Sequence, residues 1–137
     1  MFRHVGIVVN DVDRQLYFYN KLLGLEIIYS KVESGIFLDE ILNNEKLNLP
    51  IYKLGKNNVT IVELLYWGKQ RKYEKKISRN GITHFALTIE DVESIYLKLK
   101  KEGVKFLSKP YINLENTHKV CFCQDFEGNY IELVEEL

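Results

Sequence analysis

Two histidines and two glutamates stand out in this chain of 137 residues because each holds the same place in one of two similar halves. His4 opens the run His-Val-Gly-Ile-Val-Val and His84 opens His-Phe-Ala-Leu-Thr-Ile, while Glu63 sits in Val-Glu-Leu-Leu and Glu132 in Ile-Glu-Leu-Val. Side chains alternate along a strand, so Glu63 shares its face with Ile61 and Leu65, and Glu132 shares its own with Tyr130 and Val134. A carboxylate among such neighbours is costly unless it has a partner. A shared cation resolves the cost, with His4, Glu63, His84 and Glu132 around one divalent metal. Mixed nitrogen and oxygen donors suit zinc, nickel, cobalt, manganese or ferrous iron and do not choose among them. Four protein ligands leave up to two octahedral positions open, which marks a catalytic rather than a structural site. An ion there polarises a carbonyl as a Lewis acid and makes the adjacent C–H more acidic.

The elements that must position these four residues are written twice. Residues 4–32 and 84–107 each run from His through a short apolar stretch to Asp-Val, an amphipathic segment and a Gly. The histidines are 80 residues apart, the glycines Gly24 and Gly103 are 79 apart and the glutamates 69 apart, the slack falling in the longer segment between Glu33 and Pro50. His4 to Asn10 and Thr83 to Ile89 have strand composition. Asp11 and Asp91 are candidate N-caps, Val12, Leu16, Tyr19 and Leu23 recur at helical spacing, and so do Val92, Ile95, Tyr96 and Leu99. Gly24 and Gly103 suit the left-handed residue that ends a helix. Glu26 to Val32 and Val104 to Leu107 are expected as strands. Tyr52 to Leu54 with Val59 to Tyr66, and Lys119 to Gln124 with Tyr130 to Glu135, are expected as hairpins. Gly35 to Asn48 is expected to be irregular with a short helix that Leu47, Leu49 and Pro50 end. Each half is then βαβββ, an α+β fold, within one domain over 1–137: a first module at 1–68, a connector at 69–80 and a second module at 81–137.

Composition narrows the functional classes. Lys plus Arg and Asp plus Glu both count 19, so the net charge is zero and a globally basic nucleic-acid binder is excluded. The 46% hydrophobic fraction supplies a real core. No apolar run is long enough for a membrane helix, and the opening Met1-Phe2-Arg3-His4 lacks the pattern of a signal peptide, so a cytoplasmic protein is expected. Cys121 and Cys123 share a strand face at a separation that strains a disulfide, and are expected as reduced core thiols. Residues 69–79, KQRKYEKKISR, carry six basic side chains and one acidic one. They form either a solvated connector or a basic rim for an anionic substrate. His118, in the polar run Glu115-Asn116-Thr117-His118, has no counterpart in the first half and is left off the metal, as a possible substrate contact.

The opening HVGIVVNDVDRQLYFYNKLLGLEII, with Phe18-Tyr19 and Leu23-Gly24-Leu25, and the ending CFCQDFEGNYIELVEEL resemble the vicinal oxygen chelate superfamily over essentially the whole chain. That superfamily includes glyoxalase I, methylmalonyl-CoA epimerase, extradiol dioxygenases and bleomycin-resistance proteins. The ending resembles its motif Asp-Pro-x-Gly-Asn-x-Ile-Glu-Leu, with Phe126 where Pro is usual, a departure that touches turn rigidity rather than chemistry. The resemblance implies two βαβββ modules in a cup-shaped mixed β-barrel around a metal, with His4, Glu63, His84 and Glu132 at the ligand positions. Bacterial-type glyoxalase I has the same set, the epimerase carries Gln at the position of Glu63, and the extradiol and fosfomycin-resistance types use three ligands.

The resemblance therefore implies a metal-dependent lyase or isomerase of glyoxalase I type, similar to lactoylglutathione lyase, that abstracts a proton alpha to a metal-bound carbonyl. Glu132 would be the base, Glu63 would serve the opposite face, and His4 and His84 would be ligands only. The substrate would be a small molecule with vicinal oxygens, a thiol adduct or a CoA thioester, with no nucleic-acid or membrane partner. Open sheet edges needing cover, together with the family habit, imply a homodimer. An epimerase-like isomerase, an extradiol-type dioxygenase and a non-catalytic drug-binding resistance protein remain as alternatives.

Overall fold

The computed structural model describes residues 1–137, which form two compact units, 1–71 and 72–137. The first contains β1 (Val5–Val8), α1 (Val12–Leu16) running on into a π-helical turn (Tyr17–Leu22), β2 (Glu26–Ser34), α2 (Ile36–Ile41), β3 (Asn48–Lys56) and β4 (Val59–Leu65). The second contains β5 (His84–Thr88), α3 (Val92–Lys101), β6 (Tyr111–Ile112), β7 (His118–Gln124) and β8 (Tyr130–Glu136). Each unit holds one four-stranded mixed sheet, in the orders β1-β4-β3-β2 and β5-β8-β7-β6. In both, the first strand runs parallel to the last and the other neighbours are antiparallel. The α+β fold of two like modules is thus present.

The repeat extends to the register. Val5 pairs with Val62 and Gly6 with Glu63; Phe85 pairs with Ile131 and Ala86 with Glu132. In each unit the residue two beyond the His therefore stands beside the Glu. The helices start as the caps require. Asp11 accepts from the Arg14 amide at 3.0 Å and Asp91 from the Ser94 amide at 2.9 Å. The Ser94 hydroxyl and amide hold the Asp91 carboxyl below its ordinary value of 3.8. Gly24 and Gly103 end the helical segments at φ of 77° and 78°, where a β-carbon would be strained.

Three local expectations are corrected. The first helix buries Tyr19 as its spacing implies, but with Gln15, Phe18 and Leu22 rather than with Val12, Leu16 and Leu23. The π turn, in which the Leu23 amide reaches the Phe18 carbonyl at 3.0 Å, adds a residue to the turn and brings adjacent Phe18 and Tyr19 inward together. Val104 to Leu107 is not a strand. Only Phe106 bridges to Cys123, and the paired edge strand is Tyr111–Ile112, because the register shifts by two residues between Phe106–Cys123 and Tyr111–Val120. Pro50 does not close the helical segment but lies within β3. Its carbonyl accepts from the Tyr66 amide at 3.0 Å just past the end of β4, so the one bond its missing N–H forgoes is the last of the ladder.

Each sheet has a buried face on one side: Val62 and Leu64 in β4, and Ile131 and Leu133 in β8, are all 0% exposed. The Glu residues lie on the opposite faces, as strand alternation requires. In the first unit α2 covers part of that second face, where Leu38, Leu49 and Ile51 cluster with Leu65 and Trp67.

Candidate metal centre

β1 and β4 run side by side, so His4, just before β1, reaches Glu63 across Gly6. His4 Nε2 lies 3.2 Å from Glu63 Oε2. The second unit repeats the arrangement across Ala86, with His84 Nε2 3.6 Å from Glu132 Oε2. A β-carbon at Gly6 would make only ordinary contacts, with the Leu65 side chain at 3.5 Å and Glu63 Oε2 at 4.0 Å, so a residue as small as the Ala86 of the second unit also fits beside the two donors. All four side chains are partly accessible, at 29% and 15% for His4 and Glu63 and at 36% and 26% for His84 and Glu132. A ligand can therefore reach them, and Glu63 is the more enclosed carboxylate.

These separations suit donors to one ion. Metal–nitrogen and metal–oxygen bonds of about 2.1 Å place neighbouring donors roughly 3.0 Å apart in an octahedron and roughly 3.4 Å apart in a tetrahedron. The histidine orientation agrees: Thr83 Oγ1 lies 2.9 Å from His84 Nδ1, which ties that nitrogen to the hydroxyl and leaves Nε2 facing Glu132. Each unit by itself contributes one nitrogen and one oxygen, and neither gathers three or more His, Cys, Asp or Glu side chains into a metal-sized cluster.

The flanks of the two pairs differ, which the sequence did not disclose. Lys53 pairs with Glu63 across β3 and β4, its Nζ 3.6 Å from Glu63 Oε1. The residue opposite Glu132 is Phe122, whose ring meets the His84 ring edge-on at 5.1 Å between centroids. Glu132 thus has an aromatic neighbour where Glu63 has an ammonium. The repeated small residues Gly6 and Ala86, two places after each His, were the signal available for the first shared feature. Thr83 beside His84 was the signal for the orienting hydroxyl.

The other singled-out residues lie as follows. His118 opens β7, and its amide donates to Asn113 Oδ1 at 3.0 Å while Nδ1 lies 2.8 Å from Thr117 Oγ1, so it is bound into the β6–β7 turn. Cys121 and Cys123 are buried free thiols. Burial pushes the Cys121 thiol up to about 11, helped by Glu93, and the Cys123 thiol up to about 12, helped by Cys121 and Asp125. Neither is poised as a nucleophile at neutral pH. The β7–β8 turn is fixed by buried Asp125, whose Oδ1 accepts from the Glu127 and Asn129 amides, each at 2.9 Å. This replaces the rigidity expected from proline at Phe126. No helix is long and apolar enough to cross a membrane.

Residues 2–133 match the Glyoxalase/Bleomycin resistance protein/Dioxygenase superfamily. A probable lactoylglutathione lyase from Synechocystis sp. is 31% identical over 96% of this chain and 92% of its own length. Among solved structures, a glyoxalase family protein from Bacillus cereus is similar with a TM-score of 0.86 at 20% identity, covering 99% of this chain and 93% of its own. The trypanothione-dependent glyoxalase I of Leishmania major is similar with a TM-score of 0.68 at 24% identity, over 98% and 85%. These structural likenesses concern the fold. With the family match spanning nearly the whole sequence, the chain belongs to the glyoxalase, bleomycin resistance protein and dioxygenase superfamily.

Proposed function

We propose that the chain is a metal-dependent lyase or isomerase of glyoxalase I type, in which His4, Glu63, His84 and Glu132 hold one divalent ion. The observation that carries the proposal is the pair of equivalent His–Glu contacts, 3.2 Å in one unit and 3.6 Å in the other. The relative named a probable lactoylglutathione lyase adds support. Two units supply two nitrogens and two oxygens, whether they come from one chain or from two copies in a homodimer. When bound, the ion supplies Lewis acidity toward a carbonyl oxygen of a substrate with vicinal oxygens, and zinc, nickel, cobalt, manganese and iron all accept this donor set.

The residues of the chain then divide the work. His4 and His84 present Nε2, the latter fixed by Thr83. Glu63 is held on one oxygen side by His4 and on the other by Lys53, which keeps it in place as a ligand. Glu132 contacts His84 through Oε2, and its other oxygen enters no ion pair, so it accepts the proton from the carbon next to the carbonyl. Returning that proton to the neighbouring carbon gives isomerisation, and returning it to the same carbon gives epimerisation. The substrate is a thiol adduct or thioester, and the location is cytoplasmic.

Metal analysis of the purified chain, followed by isomerisation assays with methylglyoxal and several thiols, tests the reading. About one divalent ion per chain and metal-dependent turnover are expected. Unchanged metal content in His4→Ala and His84→Ala would place the ion elsewhere. Oxygen consumption with a catechol would move the reading to dioxygenase chemistry.

A further inference from the structure

Within the second unit a cavity of about 380 Å³ is lined by Tyr73, Lys75, Lys76, Arg79, Asn129 and Tyr130, among others. Three of its walls are cationic and none is a carboxylate. Lys76 reaches Glu74 at 3.6 Å with both side chains mostly exposed, a weak pair, whereas Lys75 and Arg79 enter no ion pair. Two uncompensated cations beside one concavity raise the local potential for an anion.

The cations are also held in place. Lys75 Nζ donates to Asn129 Oδ1, and the Asn129 side-chain amide donates to Asp125 Oδ2 at 2.6 Å. Buried Asp125 thus orients Asn129, which positions Lys75. The Tyr73 ring lies 5.8 Å from both the Lys75 ammonium and the Arg79 guanidinium, a shared aromatic contact for the two cations. The cavity adjoins the candidate centre. Thr83 lines it and contacts His84 Nδ1, and Tyr130 is the residue opposite His84 in the β5–β8 ladder.

We propose that this cavity is a subsite for an oxyanion carried by the substrate, matched best by a phosphate dianion. A dianion satisfies both free cations, with Arg79 able to present two parallel N–H donors, whereas a carboxylate monoanion leaves one positive charge unmatched. The inference rests on the proposed function for its link to His84, and deepens it by naming the substrate class: a vicinal-oxygen compound with a phosphate on its tail.

The test uses the metal-free full chain, titrated with inorganic phosphate and with acetate at constant ionic strength and followed by amide NMR shifts. Saturable shifts are expected at the Thr83, Asn129 and Tyr130 amides, with phosphate binding more tightly than acetate. Arg79→Gln should weaken phosphate about tenfold or more. Lys75→Met should do likewise, but it also disturbs the Asn129 turn, so Arg79→Gln, whose guanidinium rests on Tyr73, is the deciding variant. No saturable shift at these amides, phosphate no tighter than acetate, or unchanged affinity in Arg79→Gln would overturn the assignment. Because no metal is present, failure of the metal-dependent reaction does not move this readout. A chain that isomerises its substrate yet ignores phosphate rejects the subsite alone.

Discussion

Lys53 Nζ lies 3.6 Å from Glu63 Oε1, and the place across the ladder from Glu132 is taken by Phe122 instead. The two halves agree in their His–Glu contacts and differ in what flanks the carboxylates. An ammonium beside Glu63 repels an arriving cation, while the Phe122 ring does not. The repeat therefore holds two similar carboxylates in unequal surroundings.

Removing that ammonium should alter metal binding before it alters the fold. Lys53→Met keeps an unbranched side chain of similar length and deletes one positive charge, along with the ammonium contact to the Tyr29 ring at 5.1 Å. Lys53 is 36% exposed, so solvent screens the effect, and metal affinity should rise only about two- to tenfold. Competition against a chelator of known affinity measures it. Weaker binding in Lys53→Met would show that the lysine acts mainly by holding the Glu63 carboxylate in place.

Lys53 faces Glu63 only because of a bulge. The Asn57-Asn58 turn, with φ of 52° and 60°, sets Lys56 against Val59 and Gly55 against Thr60. Continued without interruption, that register would put Lys53 opposite Val62 on the core face. The shift between Leu54 and Gly55 moves it to Glu63. A β-carbon at Gly55 would collide with the Val59 carbonyl. Gly55→Ala should therefore destabilise the chain by about 1–3 kcal/mol and disturb the Lys53–Glu63 contact. A denaturant midpoint equal to the parent's would show that the bulge relaxes freely.

This bulge also marks the limit of what the sequence discloses. The four candidate ligands were legible because strand alternation has a period of two, and the buried Val62, Leu64, Ile131 and Leu133 fix which face each Glu takes. Caps and terminal glycines were legible because Asp11, Asp91, Gly24 and Gly103 act through local chemistry. The Lys53 contact was not, since one inserted residue flips a strand's faces and leaves no mark in hydrophobic spacing. The buried stripe of the first helix escaped for the same reason, as a π turn changes the period itself. The failed strand at Val104 to Leu107 had the right composition, but a two-residue shift of register between Phe106–Cys123 and Tyr111–Val120 breaks the ladder.

The buried thiols give a pH signature. Both have folded values raised above the ordinary 9.0, to about 11 for Cys121 and about 12 for Cys123. Below pH 9 they are neutral in folded and unfolded chains alike, and their contribution to stability is complete. From about pH 9 the unfolded chain ionises them while the folded chain does not, so stability falls until about pH 11–12. Cys123→Ala should flatten the decline of the denaturant midpoint over that window relative to the parent. At pH 8 a thiol reagent should label the protein only once it unfolds, and prompt labelling of the folded chain would contradict the burial.

The sharpest expectation compares the two glutamates. Glu132→Gln keeps the side-chain shape and one oxygen donor, but an amide does not accept the substrate proton at neutral pH. Loss of a general base costs about 10²- to 10⁴-fold in rate. Glu132→Gln should accordingly lose activity far more than it loses metal. Glu63→Gln should lose less activity, because Glu63 is engaged by His4 and Lys53 and the proposed function gives it the role of holding the ion. Its metal affinity should fall, since a neutral amide replaces a carboxylate. Metal content must be measured on the same samples, because a variant without metal reports nothing about proton transfer. Near-parent activity in Glu132→Gln with metal bound would leave Glu132 as a ligand only. A greater loss in Glu63→Gln than in Glu132→Gln, at equal metal content, would reverse the assignment and place the base on the half that carries the lysine.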